Sequence, residues 1–200
     1  MGTIMGKLDQ IKEFIEPYKG IIRFLLAMFI ANIVWKISIT GNENGIGAVL
    51  LWQFIDISGF FHIITQQVSD SVYFILHRIL GMDISMNDFI FRFDTGEIVG
   101  IVWGCSGIKQ LFIFTVIMLF SYGSWKHKLW FIPLGILVCY AVNIVRITVL
   151  CLIAYAYPNQ LDLFHTYIFK YVFYGIIFLI WLVWNEKFGY ENVTRDKRDT

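Results

Sequence analysis

The chain has 200 residues, 58% hydrophobic and 16% charged, with a mean hydropathy of +0.65. Soluble domains carry about 45–50% apolar and about 25% charged residues, so a soluble protein of this size is excluded, and an aromatic content of 18% excludes a disordered one. A net charge of +1 leaves no polybasic case for nucleic acid. The class is an integral membrane protein, with residues 1–200 forming a single membrane domain.

In chain order, residues 1–20 mix Lys7, Lys12 and Lys19 with Asp9, Glu13 and Glu16 and do not read as a cleaved signal peptide. Position 6 is Gly, not the Ser or Thr expected for myristoylation. The first expected span is about 21–39. Across residues 46–82, Leu50, Phe54, Ile57, Phe61, Ile64, Val68, Val72, Ile75 and Ile79 recur at steps of three and four. That pattern predicts an amphipathic helix. Asp70, His77 and Arg78 make its second half a poor span, so it is expected to lie on the outer membrane face. The alternative is two further spans, six in all. Phe89, Phe91 and Phe93 alternate with Ile90, Arg92 and Asp94 before an Asp94-Thr-Gly96 turn, which predicts a β-hairpin within 86–103. Further spans are expected at about 105–122, 129–151 and 165–184, giving four transmembrane helices in an all-α membrane fold.

Basic residues set the orientation. Ten of the sixteen Lys and Arg lie before or at the opening of the first span, in the loop 123–128, or after the last span. The 65 residues from Thr40 to Gly104 hold only Arg78 and Arg92. The positive-inside rule then puts both termini (1–20 and 185–200) in the cytoplasm. It puts residues 40–104 outside, beside a helical core at 105–184. The Asn192-Val-Thr194 sequon is cytoplasmic in this arrangement.

Three residues on three spans are expected at one outer face. Cys105, in Trp103-Gly-Cys-Ser-Gly-Ile-Lys109, opens the second span, where a helix dipole and Lys109 would lower a thiol pKa. Gly104 and Gly107 would let a substrate backbone approach, and Ser106 completes the turn. Its plainer reading is a small residue in a tight turn. Arg146 is the only charged residue from Leu129 to Gln160 and lies seventeen residues past Leu129. That is a rise of about 25 Å, toward the outer leaflet. Asn143 shares its face and could orient it. Its plainer reading is an arginine that snorkels to headgroups. His165 opens the fourth span; it could exchange protons near neutral pH or be an ordinary interfacial histidine.

Cys139 and Cys151 read as packing residues, although a Cys105–Cys151 disulfide stays open. Three cysteines make no disulfide framework. No Cys/His spacing fits a metal, so neither metal nor other cofactor is expected. A thiol with a nearby base is the nucleophile arrangement of acyl transfer, and a guanidinium can stabilise an oxyanion or hold a carboxylate.

The stretches Gly104-Cys-Ser-Gly-Ile108 and Asn143-Ile-Val-Arg-Ile147, with His165 at the last span, resemble the exosortase/archaeosortase family of membrane cysteine enzymes over about residues 80–184. The span count resembles the family's short members. The resemblance implies a cysteine peptidase or transpeptidase in the cytoplasmic membrane, with its site on the extracytoplasmic side. Its partners would be membrane lipids and exported proteins bearing a C-terminal motif, a hydrophobic helix and a basic tail. It implies Cys105 as nucleophile, His165 as general acid/base and Arg146 as transition-state or substrate contact, working through a thioester. The rival readings are a non-enzymatic transport or assembly subunit and a thiol-dependent lipid or protein acyltransferase. No sequence feature addresses oligomeric state.

Overall fold

The computed structural model describes residues 18–43, 45 and 47–189. The charged segment 1–17, the tail from 190 and the Asn192 sequon lie outside the described residues. Helix α1 (Lys19–Ser38) buries Phe24, Ala27, Ala31 and Trp35 along one stripe. Its other faces carry exposed apolar side chains such as Leu26 and Phe29, as a lipid-facing surface requires.

The chain then forms a small antiparallel sheet of β1 (Ile39–Thr40), β2 (Leu50–Leu51) and β3 (Ile55–Asp56). The expected helix over 46–82 is therefore shorter. Helix α2 runs Ser58–Tyr73 and continues through a wider turn, Phe74–Ile79. The periodicity misleads at its start: Leu50 lies in β2, and Phe54, in the β2–β3 loop, is 90% exposed. Asp56 and Ser58 mark the true start, because Asp56 Oδ1 accepts from Ser58 N–H and Ser58 Oγ accepts from Val49 N–H. The face that stays in register buries Phe61, Thr65, Val68, Val72 and Leu76, and Val68, Val72 and Leu76 share a core with Ile147, Leu150 and Cys151.

A second antiparallel sheet follows: β4 (Ile84–Asn87), β5 (Ile90–Phe93) and β6 (Ile98–Gly100). The expected hairpin is its β5–β6 half, closed where Gly96 N–H donates to Phe93 carbonyl. β4 adds a strand that the alternation at 89–94 does not reveal. Period two is obeyed: Phe91 and Phe93 are buried and Arg92 is exposed.

Helix α3 (Ile108–Phe120) has 13 residues, a rise of about 20 Å, well short of an apolar thickness of about 30 Å. The expected span at 105–122 is corrected on this point. The chain spends 103–107 in turns, and Ser121-Tyr-Gly-Ser124 ends the helix. Its core residues Ile113, Phe114, Ile117 and Met118 are fully buried against α1 and the two helices that follow.

Helix α4 (Trp125–Ala156) is longer than the expected 129–151, with Pro133 tolerated inside it. Lys128, buried on α4, donates to the Leu119 and Ser121 carbonyls and so satisfies the end of α3. After short turns at 158–168, helix α5 (Phe169–Trp184) runs on to Gly189 through one wider turn. Among the described residues, α1, α4 and α5 with its extension are the three helices long and apolar enough to cross a membrane. The 58–79 stretch is not among them.

Candidate active site

The 3₁₀ turn Trp103–Cys105 is pinned from both sides. Trp103 Nε1–H donates to Asn42 carbonyl at 2.8 Å, and its ring packs edge-on against Phe61. Gly104 sits so close to the loop before β2 that a Cβ there would lie 2.5 Å from the Glu43 carbonyl oxygen. Gly107 has φ +83°, and a Cβ there would meet the Asn143 side chain at 2.9 Å. The two glycines thus admit protein, where a substrate backbone was expected.

Cys105 is 9% exposed and lines a cavity of about 560 Å³ with Arg146 and His165. The wall also includes Cys151, Asp162, Gln110 and Lys109. Cys105 Sγ lies 3.4 Å from His165 Nε2, across sixty residues of sequence. Arg146 is 8% exposed, and its Nε is buried without a hydrogen-bond partner. The three residues expected at one face therefore share one pocket.

Asn143 does something other than expected. Its Nδ2–H donates at 3.0 Å to the Cys105 carbonyl, so it holds the turn that carries the thiol. Its Oδ1 is buried and unpartnered. Ser106 is buried, with its Oγ at 3.4 Å from Ile108 N–H.

Lys109 is corrected too. Its Nζ pairs with Glu43 Oε1 at 3.1 Å, so its charge is already answered. Glu43, missed in the sequence, is 66 residues away and could be found only once the β1–β2 loop is seen folded over the site.

The electrostatics reverse the expectation of a resting thiolate. Burial pushes the Cys105 thiol above its ordinary range, outweighing the opposing pull of Arg146 and of the Val102 backbone on the sulfur. Burial, and then Arg146, hold His165 below the ordinary imidazole range, against a smaller upward pull from Asp162. The thiol therefore starts protonated and the imidazole neutral, a proton donor facing an empty acceptor.

All three cysteines are free thiols, so no Cys105–Cys151 disulfide blocks the site. His62, His77 and His127 stand elsewhere, against Phe89, the Met82 carbonyl and Ser124. No group of three or more His, Cys, Asp or Glu among the described residues could hold a metal ion.

No curated protein and no solved structure matches the chain. A family model does match, that of the transmembrane exosortases, over residues 45–188. The match reaches back beyond the resemblance at 80–184 to take in β2, β3 and α2, whose Phe61 packs against Trp103 of the cysteine turn. With most of its length matched, and its cysteine, arginine and histidine around one cavity, the chain belongs to the transmembrane exosortase family.

Proposed function

We propose that this protein is a membrane cysteine peptidase or transpeptidase that cleaves a C-terminal sorting signal from exported proteins. The observation that carries the reading is the 3.4 Å approach of Cys105 Sγ to His165 Nε2 inside a cavity that also holds Arg146, whose buried Nε has no hydrogen-bond partner among the described residues. A neutral imidazole beside a neutral thiol is a base next to its substrate proton.

In the proposed reaction, His165 Nε2 takes the thiol proton as Cys105 Sγ bonds to the scissile carbonyl carbon. The carbonyl π pair moves onto oxygen. Arg146, with no anion of its own to neutralise among the described residues, faces that developing charge. The oxyanion collapses, the C–N bond breaks, and the departing amine takes the proton held by His165. A thioester remains on Cys105, and water or an acceptor amine resolves it. The substrate's hydrophobic helix would lie against the apolar faces of the spans. The site would open outside, with both termini in the cytoplasm.

The test co-expresses a signal-bearing exported protein with the wild type, Cys105→Ala, Arg146→Ala and His165→Ala. Each variant is expected to accumulate in the membrane and to leave the substrate unprocessed. Normal processing by Cys105→Ala would overturn the reading and favour a non-enzymatic subunit.

A further inference from the structure

The carbonyl oxygen attacked in such a reaction becomes an oxyanion and needs donors already in place. The usual source is the backbone beside the nucleophile, and here much of it is spent. Cys105 N–H donates to Val102 carbonyl at 2.8 Å, and Ser106 N–H donates to Trp103 carbonyl at 3.0 Å. Both bonds close the turn that presents the thiol, so releasing either would move the sulfur. The donors must come from elsewhere on the cavity wall.

Gln110 stands out there. It lies two residues into α3, five residues beyond Cys105, and lines the same cavity as Cys105, Arg146 and His165. Gln110 is half-buried, and its Oε1 is buried without a hydrogen-bond partner. A buried carbonyl oxygen left unpaired costs about 1–3 kcal/mol. A purely structural position would favour Met or Leu. Lys109, the neighbouring polar residue, is already committed to Glu43.

We infer that Gln110 is a catalytic residue, whose side-chain N–H donates to the oxyanion together with Arg146. This rests on the reading of Cys105 as nucleophile. In the attack step the C=O π pair moves onto the oxygen, which accepts hydrogen bonds from the Gln110 Nε2–H and the Arg146 guanidinium. On collapse the pair returns to the carbonyl and the Gln110 hydrogen bond weakens. No proton leaves Gln110 at any stage.

The test uses Gln110→Met, which keeps length and apolar bulk but has no donor, and Gln110→Glu, which keeps the shape. Two rates are measured in purified membranes: processing of the signal-bearing substrate, and alkylation of Cys105 by iodoacetamide, mapped by mass spectrometry. Alkylation at sp³ carbon forms no oxyanion. Gln110→Met is expected to lose about 100-fold in kcat for processing, with KM and the alkylation rate held within about twofold; Gln110→Glu, whose carboxylate also opposes Arg146, is expected to lose at least as much in processing. Wild-type processing by Gln110→Met, or a parallel loss of alkylation, overturns the assignment. If Cys105→Ala itself still processes substrate, the nucleophile reading fails first; if it is dead while Gln110→Met is active, only the role of Gln110 fails.

Discussion

Gly107→Ala is the sharpest perturbation the site offers, because two costs can be worked out separately. Alanine at φ +83° carries the left-handed penalty, roughly 1–2 kcal/mol. Its Cβ would also stand 2.9 Å from Asn143 Cγ and Nδ2, inside the ordinary contact distance of about 3.5–4.0 Å. Asn143 must therefore move and release the Cys105 carbonyl, leaving a buried acceptor unpaired at about 1–3 kcal/mol.

Asn143→Ala alone incurs that second cost and removes the clash. The double variant should then keep only the left-handed penalty and one unpaired carbonyl. Its loss falls short of the sum of the singles by at least about 1 kcal/mol, where uncoupled sites agree within about 0.3–0.5 kcal/mol. Melting of the four proteins in detergent measures this, at about 2–4 °C per kcal/mol for a chain of this length. Processing by Gly107→Ala should drop about 100-fold, since a shift of about 1 Å in the thiol is enough. Melting losses that simply add would refute the account of how the cysteine turn is held.

Four further outcomes are expected. Processing should decline in acid with an inflection below about pH 6.5, because His165 is held below the ordinary imidazole range and must be neutral to accept the proton. Since the thiol is held above its range, the rate should stay level through about pH 8.5; a rate that climbs with thiolate formation there would contradict the geometry. Glu43→Gln and Lys109→Met should each cost no more than about 1 kcal/mol, the pair being part-exposed, with processing within a few-fold of wild type; a collapse of activity in Lys109→Met alone would restore it as a thiol activator. An outside-only thiol reagent should modify Cys105 in intact cells, and labelling only after the membrane is opened would reverse the proposed orientation.

Much of this arrangement was legible because membranes tax polarity. Arg146 is conspicuous in an uncharged stretch, and its rise from Leu129 by itself puts it nearly level with Cys105. The alternation of Phe89, Phe91 and Phe93 likewise gives the sheet face directly. Long-range pairing was not legible. Glu43 reaches Lys109 through a loop whose position depends on three two-residue strands, too short for any period to register. The Asn143 bond to the Cys105 carbonyl joins elements 38 residues apart, and helix spacing could offer only Arg146 as its neighbour. Local apolarity also overstated the second span, since hydropathy runs on through 103–107 although Gly107 forces a turn there.

The shortness of α3 has a consequence for how a substrate is met. Lys128 ties the far end of this helix to the basic 123–128 loop, so in the proposed topology the missing length, about 10 Å, would fall at the Cys105 end. In the proposed reading, the reacting sulfur would lie in a well whose wall is built by the flanking helices and the second sheet. A tethered client anchored by its own membrane segment could be cut within a turn or so of that anchor, without first being dragged into the aqueous phase.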